Sequence, residues 1–247
     1  MIFKEFGNRT KPVLILLHGG GLSNWMWRPQ IEAFQEEYHI VTPIFDGHGE
    51  ENTTVFHSIS YSADQVISFI NENFNGSVFA VCGLSIGAQV TVDILAKSNH
   101  IAKKAVIESA LVLPSKMMEK ITKPMLNLSL PLVNQRWFAK LQAKQMYLPE
   151  DMFEDYYRDS AGMSKESMIN MMADNVRFAV PSNLEKTTAD CFVMCGEKEY
   201  AMMRKSAAIL HDTIKGSKLK LVPDCGHGVS LKFPDQYIQL VREHFRP

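Results

Sequence analysis

Glycines crowd three places in this 247-residue chain, two of them around a side chain that could react. Ser85 stands in Gly83-Leu84-Ser85-Ile86-Gly87, His227 stands between Gly226 and Gly228, and His18 opens the run His18-Gly19-Gly20-Gly21. A serine hydroxyl attacks an acyl carbon only when a base takes its proton and donors stabilise the oxyanion that forms. Imidazole, titrating near neutrality, suits the first task, and backbone N–H groups unobstructed by side chains suit the second. The three features together point to acyl transfer through a serine ester.

That chemistry requires elements that hold these groups apart from the core yet aimed at one another. An apolar run from Ser77 to Cys82 stops at Gly83, and a helical stretch from Ala88 to Lys97 begins beyond Gly87. In such a strand-turn-helix the serine adopts a strained backbone, and a Cβ at either flanking glycine meets the neighbouring strand or helix. The helix start also directs free N–H groups at developing negative charge. With 14 Gly and 18 Ser in the chain, chance supplies the five-residue pattern only about 0.06 times, before the strand and helix are demanded. The glycine run at 18–21 likewise follows a strand, Val13 to Leu17, and His227 falls on the loop between the last strand and the last helix. A lone histidine is ordinarily structural or exposed, and the other seven are read that way.

Short apolar runs predict buried strands at Pro12 to Leu17, Tyr38 to Ile44, Ser77 to Cys82, Lys104 to Ile107, Cys191 to Cys195 and Lys218 to Val222. Helical periods lie between most of them: Ala63, Val66, Ile67 and Ile70 after Ser62 as N-cap, then Met203, Ala207, Leu210 and Ile214, then Tyr237 to Phe245. Strands alternating with helices imply crossover connections, hence an α/β fold with a mostly parallel sheet and helices on both faces. From about Leu113 to Glu185 no strand is predicted, and the segment reads as helices broken at Pro124, Pro131 and Pro149.

Composition narrows the partners. The 26 basic and 27 acidic residues lie in no long block of either sign, which disfavours nucleic acid and anionic membranes and favours small molecules. No apolar stretch is long enough to span a bilayer and the first residues lack the pattern of a secretory leader, so a cytoplasmic location without membrane insertion is expected. Cys191 and Cys195 share one strand face, a poor start for a tetrahedral metal site, and with Cys82 and Cys225 they read as reduced core thiols. No cofactor or metal is indicated.

Through HGGG at 18–21, DGHG at 46–49, GLSIG at 83–87 and GHG at 226–228, the chain resembles the α/β-hydrolase superfamily over essentially its whole length. The resemblance implies a hydrolase core formed by 1–112 and 186–247, with 113–185 as a helical cap inserted in it; one strand, "IFKEF", fits before Val13, for a sheet of about seven strands. It also implies the triad order nucleophile, acid, histidine. Many members place aspartate in a G-x-x-D turn; the matching residues here are Gly196-Glu197-Lys198-Glu199, which makes Glu199 the acid beside Ser85 and His227. Glu108, at the end of the strand from Lys104, is the reserve acid, and Asp224 a third candidate. The oxyanion hole falls on the N–H groups of Gly20 and Ile86, with Gly21 as the neighbouring alternative, while Asp46 and His48 match a structural turn.

The expected activity is hydrolysis of a small to medium apolar carboxylic ester or thioester through an acyl-enzyme on Ser85. Thioesterase, lysophospholipase, carbon-carbon bond hydrolase and acyltransferase chemistry use the same triad, and a ligand receptor or signalling protein of little turnover is the alternative from another class. A haloalkane dehalogenase is disfavoured, because it needs aspartate where Ser85 stands. Nine of the 14 methionines lie in the insertion, where thioethers give a lid an adaptable apolar underside, although core filling is the simpler account. Trp25, Trp27 and Trp137 are candidate pocket walls.

Overall fold

The structure, a computed structural model, describes residues 1–246, with only the backbone described at 129–131. Seven strands form one sheet in the order β1-β3-β2-β4-β5-β6-β7: β1 (Ile2–Phe6), β2 (Val13–Leu17), β3 (His39–Ile44), β4 (Val78–Leu84), β5 (Ala102–Glu108), β6 (Asp190–Gly196) and β7 (Lys218–Val222). Only β1 is antiparallel to its neighbour, pairing Ile2 with Ile44 and Phe6 with Ile40; every other pair is parallel.

The parallel strands are apolar on both faces, and alternate residues enter two separate cores. Ile15, Leu17, Val81, Ile107, Val193 and Cys195 face one side, where α2 (Ile59–Phe74), α3 (Ile86–Lys97) and α8 (Ala201–Thr213) pack. Leu14, Leu16, Ala80, Cys82, Val106 and Met194 face the other, under α1 (Arg28–Phe34) and α10 (Pro234–Phe245). All four cysteines are buried free thiols, and no cluster of metal-ligand residues occurs among the described residues. No helix of the described residues is long and apolar enough to cross a membrane.

Between β5 and β6 the described residues form no strand but four helices, α4 (Lys116–Val133), α5 (Arg136–Gln145), α6 (Phe153–Gly162) and α7 (Lys165–Arg177). Helix α7 is fastened to the core through polar contacts: Ser167 Oγ accepts from Phe56 N–H at 3.1 Å, and Asp174 Oδ2 accepts from Ile59 N–H at 2.6 Å. On the core side, Gln89 of α3 donates to the carbonyls of Leu111 and Asn175.

Two local expectations are corrected. Helix α2 is capped by Ser58, whose Oγ accepts from Tyr61 N–H at 3.0 Å, so Ser62 lies inside the first turns with its N–H bonded to the Ser58 carbonyl. Ser58 wins because the extended conformation there lets its hydroxyl reach back over the helix start. Helix α4 continues through Pro124 instead of breaking there. The proline costs one backbone hydrogen bond at Lys120, but both residues are exposed and water can take the carbonyl. Nor does α4 break at Pro131: its backbone stays helical to Val133. A short helix, α9 (Val229–Lys232), follows directly after the His227 loop and precedes α10.

Candidate active site

From Val81 to Val90 every residue is buried except Ser85. It closes β4 and precedes α3 with φ 56° and ψ −113°, a left-handed backbone that a non-glycine residue holds only under constraint. The constraint is visible at both neighbours. A Cβ on Gly83 would meet the Gly87 carbonyl oxygen at 2.2 Å, and one on Gly87 would meet the Leu17 carbonyl oxygen at 2.2 Å. Ser85 N–H donates to the Glu108 carbonyl at 2.9 Å, and its own carbonyl accepts from Gln89 N–H at 3.0 Å. The turn is thereby held from strand and helix alike.

Ile86 is the first residue of α3, so its N–H has no intrahelical acceptor and points out of the helix start. Gly20 lies beside it: a Cβ there would come within 2.9 Å of Ile86 Cγ1 and 2.7 Å of Met171 Sδ. The Gly20 N–H has no hydrogen-bond partner among the described residues. Among the described residues, the N–H of Ile86, next to Ser85 in the chain, and that of Gly20, beside the Ile86 side chain, are without acceptors, and such N–H groups can receive an oxyanion.

His227 follows β7 on a loop and is partly exposed. Its Nδ1 lies 2.9 Å from Glu199 Oε2. Glu199 is buried in the turn after β6, and its Oε1 accepts from Gly196 N–H at 3.0 Å, Ser109 Oγ at 2.5 Å and Cys195 Sγ at 3.3 Å. Burial pushes this carboxyl up, but the imidazole and these donors outweigh it and hold Glu199 below its ordinary value. Burial disfavours the imidazolium of His227, yet the Glu199 carboxylate prevails and raises its pKa above 6.5. Ser85, Glu199 and His227 line a common cavity of about 710 Å³.

The other candidates lie elsewhere. Glu108 is wholly buried, pushed up to about 7 by desolvation, and its Oε1 accepts from Ser230 N–H at 2.9 Å instead of meeting the imidazole. Asp224 is exposed and paired with Lys198 at 2.8 Å. Asp46 and His48 stay in their turn: His48 Nδ1 bonds the Asp46 carbonyl at 2.9 Å, and burial lowers its pKa to about 4, leaving it neutral. His18 is buried too, held well below its ordinary value by desolvation and by His48, with Nε2 accepting from Phe45 N–H at 3.1 Å.

Beside Gly20 and Gly21 opens a second cavity of about 310 Å³, lined by Met146, Met163, Met168, Met171 and Met172. Gln145 borders both cavities. None of the three tryptophans lines either one: Trp27 is buried against Tyr237, Trp25 Nε1 donates to Asp159 at 2.7 Å, and Trp137 faces solvent. Ser109 and Tyr147 are site residues that the sequence reading passed over. Ser109 follows the strand that carries Glu108, a position that topology places next to the β6 turn; Tyr147 carries no local pattern of its own.

The chain is similar to several known proteins. Over 150 residues the chain is 27% identical to (E)-2-((N-methylformamido)methylene)succinate hydrolase of Acinetobacter baylyi, an alignment spanning 54% of this chain and only 53% of that relative. Monoacylglycerol lipase abhd6-B of Xenopus laevis is 20% identical over 95% of this chain and 75% of its own length. Among solved structures, an esterase from Exiguobacterium antarcticum superposes with a TM-score of 0.84 at 16% identity, covering 99% of this chain and 95% of that one, which shows a shared fold. The model of the alpha/beta hydrolase family matches residues 14–240, nearly the whole chain, and the protein belongs to that family.

Proposed function

We propose that the protein is a serine hydrolase that cleaves a carboxylic ester or thioester through an acyl-enzyme on Ser85. The observation that carries the reading is the bond between Glu199 Oε2 and His227 Nδ1 at 2.9 Å, in the same cavity as the constrained Ser85. Glu199 fixes the imidazole with Nδ1 protonated, leaving Nε2 free to take the Ser85 proton. Ser85 Oγ then bonds the acyl carbon, and the N–H groups of Gly20 and Ile86 receive the oxyanion. As the tetrahedral intermediate collapses, His227 returns the proton to the departing oxygen or sulfur. Water, activated by the same imidazole, then releases the acid.

The methionine-lined cavity lies beside the oxyanion donors and suits an apolar acyl chain of small to medium length. The segment 113–185 supplies that lining and acts as the cap over the core of 1–112 and 186–247. Two relatives act on esters by name, the monoacylglycerol lipase and a pimeloyl-[acyl-carrier protein] methyl ester esterase of Nitrosomonas europaea, and both support a carboxylic ester substrate. Four free buried thiols favour a reducing compartment, in keeping with the cytoplasm.

A fluorophosphonate probe tests the reading directly. Wild type is expected to be labelled and to turn over a short-chain aryl ester steadily, and Ser85→Ala to lose both. Labelling or turnover that survives Ser85→Ala removes the assignment, and labelling without turnover supports a receptor instead.

A further inference from the structure

The cavity shared by Ser85 and His227 carries an excess of positive charge at its rim. Lys144 and Lys198 line it, and Lys232 Nζ lies 4.4 Å from the centre of the ring of Tyr147, which also lines it. Lys198 is engaged by Asp224. Glu199, the one carboxylate lining the cavity among the described residues, is committed to His227. The Lys144 ammonium has neither an ion pair nor a hydrogen bond among the described residues. The side-chain amides of Gln145 and Asn175 line the same cavity and are also without a partner there. A strongly hydrated, unpaired ammonium at the wall of the site, beside two unengaged amides, is a handle for a substrate anion.

The two cavities also divide the substrate. The methionine cavity adjoins the oxyanion donors and receives no cation among its lining residues. His227 must hand its proton to the departing atom, so the leaving group lies on the imidazole side of Ser85. That side is the cavity lined by Lys144. The ring of Tyr147 rests against Gly226, next to His227, on the wall of that same cavity.

Resting on the ester-hydrolase reading above, we infer that Lys144, with the amides of Gln145 and Asn175, selects an alcohol or thiol leaving group that bears an anionic group such as a carboxylate. In the acylation step the Ser85 Oγ–acyl bond forms, the acyl–leaving-atom bond breaks, and the Ser85 proton reaches the departing alcohol or thiol through His227. The anion itself takes no part in bond exchange; it is held while the proton is delivered.

The test compares phenyl butyrate, 3-carboxyphenyl butyrate and the phenyl monoester of glutaric acid on wild type, Lys144→Gln and Lys144→Arg. Dividing each wild-type kcat/KM by the variant value cancels intrinsic leaving-group reactivity. Because Lys144 is exposed, Lys144→Gln is expected to lower kcat/KM for 3-carboxyphenyl butyrate by about two- to fivefold relative to phenyl butyrate, through KM, with 0.5 M salt shrinking the difference and Lys144→Arg preserving it. Equal losses on all three esters, or a loss confined to the acyl-side carboxylate of the glutarate, overturn the inference. Binding of 3-hydroxybenzoate against phenol, followed by NMR titration on wild type and Lys144→Gln, needs no turnover. A wild type that cleaves no ester yet prefers 3-hydroxybenzoate through Lys144 would overturn the esterase reading and uphold the anion site; equal affinity for the two phenols would overturn the anion site alone.

Discussion

Glu199 approaches His227 with one oxygen and holds the protein with the other: Oε2 lies 2.9 Å from Nδ1, while Oε1 takes the Gly196 N–H and the Ser109 and Cys195 side chains. A carboxylate anchored this way can orient an imidazole without swinging. Glutamate is one methylene longer than aspartate, and the Gly196 N–H bonds that added reach back to the turn from which the side chain springs. Glu108 sits at the end of the adjacent strand but spends its Oε1 on Ser230 N–H.

The two carboxyls therefore respond differently to removal of charge. Glu199→Gln is expected to lower kcat by about 10³- to 10⁴-fold, as the amide turns the imidazole to the wrong tautomer. Glu108→Gln replaces a buried acid already pushed up to about 7, and should change kcat far less. Ester turnover by the two variants decides it, and the reverse ranking would move the role to Glu108.

The same contact sets the pH profile. The proposed base, His227, can accept a proton only when neutral, and Glu199 holds its pKa above 6.5, so the rising limb of kcat/KM should be centred above that value. Glu199→Gln should shift the limb to lower pH while lowering its plateau. Stability runs the other way: the raised pKa contributes stability that is complete below 6.5 and is lost as pH rises through the folded value. A rate profile and a denaturant series across pH 5.5–8.5 would display both trends, and an unshifted limb in Glu199→Gln would exclude Glu199 as the partner.

Much of this was legible because the fold and the reactive turn are written locally. Six apolar runs and "IFKEF" mark all seven strands, and glycines spaced around Ser85 mark a turn whose close contacts fall within a few residues of chain or on the adjoining strand. The acid was legible only through the matched G-x-x-D turn, since its contact with His227 spans 28 residues of chain. Ser109 and Tyr147 were not legible. The first reaches Glu199 across 90 residues, and the second acquires its place against Gly226 through tertiary packing of the loop after α5. The tryptophans were misjudged for a related reason: proximity in sequence to the glycine run says nothing about which side of the sheet a ring enters, and Trp27 enters the core beneath α10.

The tight turn can be tested apart from the chemistry. At Gly83 a Cβ meets backbone of α3 at 2.2 Å, which cannot yield without moving the helix. At Gly20 it meets the flexible thioether of Met171, which can rotate away, and Ile86 Cγ1, a side-chain atom and not backbone. Gly83→Ala is expected to cost at least about 1–3 kcal/mol of stability by overpacking, and Gly20→Ala less, with its main loss in kcat. Thermal melts of the two variants beside wild type, with kcat measured well below each midpoint, separate the effects; equal melts would show that the turn is looser than its contacts imply.

Met171 links the two ends of the proposed acyl site, because its sulfur packs over Gly20 and it also lines the methionine cavity. Shortening it to alanine opens space along the path an acyl chain would follow away from the oxyanion donors. The side chain is buried, so Met171→Ala should destabilise the fold by about 2–5 kcal/mol, less if the neighbouring thioethers move in. If the cavity holds the acyl chain, the acyl length giving the highest kcat/KM should rise in Met171→Ala and fall in Met171→Phe, which fills the same space. The readout is a series of aryl esters from acetate to decanoate at a temperature where all three proteins stay folded. Opposite shifts in the two variants would tie chain length to this cavity. An unmoved optimum, with only the overall rate changed, would place the acyl chain elsewhere and leave the methionines as packing for α7.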